Sequence, residues 1–419
     1  MKKQGKRTLT PKLRFPEFRD NEGWREVTVR ETAAVIAGQS PRGEYYNDIG
    51  NGTPFYQGKT DFGDVFINPP TKWTTQVTKL ALENDILMSV RAPVGALNIN
   101  TQKICIGRGL AALRAKENKW FLYYLLLQVN RLFVGNGGSV FDSISKSQIE
   151  STQIPFPQTL LEQQKISECL SSLDGLIAAE GRKLAALRDH KRGLMQQLFP
   201  QPGQTQPRLR FPEFRDNGEW SVCQLGPLTT KVGSGITPMG GAENYKTEGR
   251  PFVRSQNVGW GELILDDMAF IDEGIHQSFN STEIKVLDVL LNITGASIGR
   301  SAIADSRIAG GNVNQHVCII RVKRDELNPT LLNQFLISER GQKQIDSFQA
   351  GGNRQGLNFA QIRSFEIPLP PTENEQHKIA NCLSSLDDLI TAQSRKLDAL
   401  RTHKRGLMQQ LFPTPEGQE

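Results

Sequence analysis

The sequence has little of what secreted, membrane-bound or catalytic proteins depend on. Five cysteines in 419 residues, at 105, 169, 223, 318 and 382, show neither CxxC spacing nor the density of a disulfide scaffold. A reducing, cytoplasmic location is expected. The most apolar segments, such as Leu122 to Val129 (LYYLLLQV), are too short to span a bilayer, so no membrane partner is expected. The basic start MKKQGKRTLTPK lacks the apolar stretch of an export signal. Five histidines, at 190, 276, 316, 377 and 403, lack the HxxxH or HxxE spacing of a metal site, so no metal ligands are expected. Acidic residues number 44 against 50 basic ones, and the net charge of +6 leans weakly toward a polyanionic partner.

Three fragments imitate catalytic motifs without completing them. Asn68-Pro-Pro-Thr71 begins like the Asn-Pro-Pro-aromatic loop that holds a flipped adenine in amino-methyltransferases, yet Thr71 stands where the stacking ring belongs. No glycine-rich strand-to-helix turn for S-adenosylmethionine accompanies it. Gly52 to Thr60 (GTPFYQGKT) has five residues between its glycines where a P-loop has four, and reads as a turn. Glu283-Ile-Lys285 with Asp266 lacks the paired carboxylates that hold a nuclease metal. Cys105 and Cys318 are 213 positions apart, as are Cys169 and Cys382, and both pairs are expected to serve as small core hydrophobes.

What the chain does have is a duplication. Leu13 to Asn21 reads LRFPEFRDN, Leu209 to Asn217 reads the same, and Trp24 and Trp220 follow in register, 196 positions apart. Gln163 to Pro200 matches Gln376 to Pro413 at 29 of 38 positions, now 213 apart, so the intervening blocks differ in length by 17 residues. Those blocks share only a thin skeleton: Asp85-Ile-Leu against Asp288-Val-Leu, Ala92-Pro-Val-Gly95 against Ala296-Ser-Ile-Gly299, and Ile154-Pro-Phe-Pro157 against Ile367-Pro-Leu-Pro370. One scaffold carries two different inserts.

The repeated segment carries a heptad seam: Ile166, Leu170, Leu173, Ile177, Leu184, Leu187, Leu194 and Leu198, with polar interruptions at Glu180 and Lys191. The copy reads Ile379, Leu383, Leu386, Ile390, Leu397, Leu400, Leu407 and Leu411, interrupted at Gln393 and Lys404. Thr159-x-x-Glu162 and Thr372-x-x-Glu375 are capping boxes, and Pro200 and Pro413 end each helix. Two helices of about 40 residues follow, each about 60 Å long. Matched stripes predict that they pair. Antiparallel pairing would hold the blocks apart and give pseudo-twofold symmetry, with the chain's two ends as neighbours; parallel pairing would crowd the blocks together.

Within the blocks, short apolar runs such as Ile86 to Val90 and Val317 to Val322 read as strands, and Lys119 to Phe133 and Pro329 to Ile345 as helices. The expected fold class is α+β: two mixed α/β domains joined by two long antiparallel helices in an intramolecular coiled coil. The divisions are a basic N-terminal segment with the repeat opening (1–23), a first block (24–157), a first long helix (158–200), a linker with the second opening (201–219), a second block (220–370), a second long helix (371–413) and a tail (414–419).

Two near-identical helical segments, each following an IPxP stretch, with LRFPEF before each of two dissimilar blocks, closely resemble the specificity subunit of type I restriction and modification enzymes. Gly295-Ala-Ser-Ile-Gly-Arg300 followed by Asn314-Gln315-His316, and Arg91-Ala-Pro-Val-Gly95, add to the likeness. The resemblance spans nearly the whole chain. It implies that the blocks are target recognition domains, each reading one half of a split double-stranded DNA site, and that the helices form an antiparallel spacer. It further implies two modification (methyltransferase) subunits and restriction (translocase/nuclease) subunits as partners. This chain would be non-catalytic and without a cofactor, with S-adenosylmethionine, ATP and Mg on the partners. A methyltransferase-only system and a structural adaptor that does not bind DNA stay open as alternatives.

Base discrimination needs bidentate side chains on loops able to enter the major groove, Arg for guanine and Asn or Gln for adenine. The candidates are Gln57, Lys59 and Arg91 in the first block and Arg254, Gln256, Asn257 and Arg354 in the second, with Asn314 and Gln315 behind them. A loop Arg or Lys is more often a phosphate contact or a solvated surface charge than a base contact.

Overall fold

The computed structural model describes residues 8–134, 143–238, 240–349 and 356–413. The chain divides into two compact units, residues 1–180 with 396–419, and residues 181–395. Both divisions fall inside the long helices, Leu160–Leu198 and Glu373–Leu411, so each unit holds part of both.

In the first unit the two helices run antiparallel. Lys404 Nζ donates to Asp174 Oδ1 at 2.5 Å, and Lys396 pairs with Glu180, so numbers fall along one helix as they rise along the other. In the second unit Lys191 Nζ donates to Asp387 Oδ1 at 2.6 Å, repeating the Lys404 contact 213 positions away. The lysines that interrupt the seam in the sequence are thus matched to carboxylates across it, and a polar pair at such a position fixes register. Leu184 and Leu397 are buried, Leu173, Ile177, Leu187, Leu386, Ile390 and Leu400 half-buried. Ile166 and Leu170 reach beyond the seam into the first block's core, and Ile379 and Leu383 into the second's.

Each helix begins directly after its threonine, whose hydroxyl accepts from the backbone N–H three residues on, at 3.4 Å for Thr159 and 3.3 Å for Thr372. The other half of the predicted capping box is absent. Glu162 instead takes a bidentate pair from Arg14, both contacts at 2.8 Å, and the Trp24 indole N–H at 3.0 Å. Glu375 takes Arg210 at 2.8 Å twice and Trp220 at 3.2 Å. All six residues are buried. This clamp explains the repeated LRFPEF…W opening: it ties the start of each block to the start of the helix that follows that block. The opening is fixed a second time by Leu13 N–H, which donates to Gln410 O at 2.9 Å, and by its repeat Leu209, which donates to Gln197 O at 3.0 Å. The first unit's core therefore closes with Leu411 and Phe412, the latter edge-on to Trp24, and the segment at Leu13 lies beside the end of the second long helix at Gln410, as the repeat predicts.

The blocks are built on one plan. In the first, an antiparallel sheet orders Ala33–Ala37, Leu110–Ala115, Ile86–Ser89 and Leu97–Ile99. Its central strands read as unbroken apolar runs because both faces are covered: Ile86, Met88, Ala111 and Leu113 join one core, Leu87, Leu110 and Ala112 another. The second block repeats this with Thr229–Ser234, Val317–Val322, Val289–Asn292 and Ser301–Ile303. The shared aspartates have a structural role. Asp85 is held by Arg114 on the neighbouring strand at 2.9 and 2.8 Å, and Asp288 by Arg321 at 2.7 Å twice.

A second sheet in each block contains one parallel pair, Thr53–Tyr56 with Ile104–Ile106 and Arg250–Val253 with Asn312–Val313. Gly52 to Thr60, expected as a turn, instead holds the strand Thr53–Tyr56 ahead of a short 3-10 turn, Lys59–Asp61, and the adjacent Phe55 and Tyr56 are both buried, so both faces of the strand are covered there. Both predicted block helices are interrupted, into Lys119–Gln128 and Arg131–Val134, and into Pro329–Leu336 and Glu339–Ser347. The second break is a new N-cap, Ser338, accepting from Gly341 N–H at 3.1 Å. Cys105 and Cys318 are fully buried, and burial pushes the Cys318 thiol up to about 12. Cys169 and Cys382 depart from expectation: on the helices they are only half-buried.

Candidate nucleic-acid interface

In each block three loops meet at one edge of the parallel strand pair. In the first they are the loop after Tyr56, the turn at Gly107 to Gly109, and the loop from Val90 to Ala96. Gly107 N–H donates to Tyr56 O at 2.8 Å, Val90 N–H to Gly109 O at 2.9 Å, and Ile144 N–H to Val90 O at 3.0 Å. The second block is stitched by the same bonds: Asn314 N–H to Val253 O at 2.9 Å, Ile293 N–H to His316 O at 3.0 Å, and Leu357 N–H to Ile293 O at 2.9 Å. Backbone–backbone bonds of this kind hold loop positions while leaving side chains free to differ.

These loops carry most of the predicted residues. Gln57 follows strand Thr53–Tyr56, Lys59 opens the short 3-10 turn Lys59–Asp61, and Arg91 bridges through its backbone to Ser143. All three are exposed, and none makes a side-chain hydrogen bond or ion pair among the described residues. Nearby, burial raises the Asp61 carboxyl above its usual range.

The equivalent loop of the second block is internally paired. Arg254 stacks over Tyr245 with 5.3 Å to the ring centroid, donates to Asp267 O at 2.6 Å and pairs with the Asp267 carboxylate at 3.2 Å. Gln256 is exposed, and its amide also donates to Asp267. Asn257 needs correcting as a candidate: it is 1% exposed. Its Oδ1 accepts from Arg254 N–H at 3.0 Å, and its amide donates to Ile264 O at 2.9 Å and Asp267 O at 3.1 Å, so it shapes the loop. Asn314 is likewise buried, accepting from His316 N–H at 3.0 Å, while Gln315 is exposed. Arg354 lies outside the described residues.

The sequence matches the family described as "Type I restriction modification DNA specificity domain" over residues 21–189 and 217–402. The chain belongs to this family. Its relatives include the MjaVIII type I restriction enzyme specificity subunit of Methanocaldococcus jannaschii, 22% identical over 96% of this chain and 93% of the relative. A MjaX specificity subunit assigned in the same organism is 39% identical, over a stretch that is 39% of either chain. Among solved structures, a type I restriction-modification S subunit from M. genitalium superposes with a TM-score of 0.64 at 18% identity, covering 97% of this chain and all of that one. A chain from a study of type I complex assembly gives 0.55 at 17%, covering 93% and 98%.

Within this specificity subunit the motif look-alikes have ordinary places. Asn68 secures its own loop, its side-chain amide donating to Phe62 O at 3.2 Å and its backbone carbonyl accepting from the Tyr56 hydroxyl at 2.8 Å. His276 is buried against Asn312 at 2.7 Å, and no cluster of three metal-ligating side chains occurs among the described residues. No described helix is long and apolar enough to cross a membrane.

Proposed function

We propose that each block reads one half of a bipartite DNA site and that the chain directs partner subunits to methylate or cleave there, without performing chemistry itself. The observation that carries this reading is the pair of backbone-stitched loop clusters, alike in architecture and different in side chains, on a duplicated frame. That is what two readers of unlike sequences require. S-adenosylmethionine, ATP and Mg2+ would be held by the modification and restriction subunits. Leu176 and its repeat counterpart Leu389 stand exposed on the long helices, which supports docking of partner subunits along them.

Methylation mapping of genomic DNA from cells with and without the gene tests the proposal. A single interrupted motif, methylated only when the gene is present, is expected. Purified chain incubated alone with labelled S-adenosylmethionine and DNA should transfer no methyl group; transfer would overturn the non-catalytic role.

A further inference from the structure

The turn Gly107-Arg108-Gly109 lies at the centre of the first block's loop cluster and belongs to no recognisable sequence motif. Its backbone touches every neighbouring loop: Gly107 N–H donates to Tyr56 O, Gly109 O accepts from Val90 N–H, and Arg108 N–H donates to Ser40 Oγ at 3.1 Å. A side chain would collide at position 109 and be tightly crowded at 107. A Cβ at position 109 would lie 2.3 Å from Gln57 O, and one at 107 would lie 3.0 to 3.2 Å from the Phe55 ring, Ser40 Oγ and Gln57 Cα. The turn is therefore pressed against Gln57, and Arg108 is exposed on it. Its side chain makes no hydrogen bond or ion pair among the described residues. A planar guanidinium on an immobilised backbone is arranged for bidentate contact, with little ordering left to do on binding.

We infer that Arg108 reads a guanine in the first half-site, donating from its fork to O6 and N7 in the major groove, and that Gln315 occupies the same station in the second block. The inference rests on the DNA-reading function proposed above. In the second block the station is Asn314-Gln315-His316, between the same partner loops. The Asn314 side chain closes the turn there, accepting from His316 N–H, and His316 Nδ1 meets Thr294 Oγ1 at 2.5 Å. Gln315 is left exposed, its amide 3.3 Å from His316 Nε2. A glutamine amide offers one donor and one acceptor, the complement of adenine N7 and N6. One turn, in two copies, thus carries two different base chemistries.

The test is methylome mapping in cells that express the full complex with Arg108→Ala, Arg108→Lys or Gln315→Ala. Arg108→Ala should relax one guanine position of the first half-site, with discrimination falling about 10- to 100-fold, and leave the second half-site unchanged. Arg108→Lys keeps the charge but loses the fork and should relax the same position. Gln315→Ala should relax one adenine position of the second half-site alone. Since the Arg108 side chain has no internal partner among the described residues, the thermal transition of Arg108→Ala should match wild type. Uniformly weaker methylation with both half-sites intact would make Arg108 a phosphate contact and overturn the inference, as would full specificity in Arg108→Lys. Absence of any motif with the unaltered chain would instead remove the DNA-reading function itself.

Discussion

The two recognition blocks hold their candidate readers in opposite ways. In the first, Gln57, Lys59 and Arg91 project without internal partners among the described residues, whereas in the second Arg254 and Gln256 both close on Asp267. The frames beneath them are alike to the level of single hydrogen bonds, so the difference belongs to the loops. Unpartnered cations attract phosphate at any sequence and release counterions on contact. A guanidinium already held by a carboxylate must exchange that partner for DNA, and the exchange is favourable only where the replacement is as good. We propose that Lys59 and Arg91 serve affinity in the first block, whereas Arg254 and Gln256 serve discrimination in the second.

The largest expected effect tests the shared frame. Glu162→Ala and Glu375→Ala each leave a buried arginine uncompensated, at a cost of about 3–5 kcal/mol to the unit concerned. Hydrogen exchange across Leu13 to Asn21 and Leu209 to Asn217 should accelerate to the same degree in the corresponding variant. A large effect in one and none in the other would break the equivalence of the two clamps.

A smaller effect is expected from Asp267→Ala, which releases Gln256 and removes the carboxylate from Arg254 while leaving the guanidinium its bond to the backbone carbonyl of residue 267. Binding to nonspecific duplex should tighten about fivefold at low salt, and the slope of log affinity against log salt should steepen by about 0.9 for each further phosphate neutralised. Unchanged binding would mean that the pairing with Asp267 does not restrain the loop. Smallest of all, Lys59→Ala and Arg91→Ala should each flatten that slope by about 0.9, evenly across sequences, whereas Arg254→Ala should flatten it less. Titration over a range of salt concentrations measures all four variants. Equal slopes for Arg254→Ala and Arg91→Ala would erase the contrast between the blocks.

The frame was legible because duplication exposes it. Identical nine-residue openings and helices matched at 29 of 38 positions mark what both halves need before any element is assigned. The partners of those residues were not legible. Arg14 meets Glu162 across 148 positions, and a helix-start pattern disguised the glutamate as a cap. Likewise Asp174 and Asp387 read as ordinary polar faces until Lys404 and Lys191 are placed opposite them. In the loops, composition could name side chains fit to read bases but not their surroundings. Asn257 has the right groups for adenine and spends them on two carbonyls and an N–H of its own loop. Arg108 carried no motif at all, since an arginine between two glycines is common; only the close approach of Gln57 O to Gly109 shows that the turn is rigid.

Leu411 and Phe412 in the first unit's core bear on the order in which the chain can fold. Domains usually mature from the N-terminus as synthesis proceeds. Here the second unit, residues 181–395, is contiguous and can be complete while the first still lacks its closing segment. Until that segment emerges, Trp24 and Phe121 face a gap that Phe412 fills in the finished protein. A stop codon just before Leu411 would consequently damage the first block. A stop codon just after Pro200 would be gentler: the truncated product would end in the same LMQQLFP that closes the first unit, and two such products could close each other.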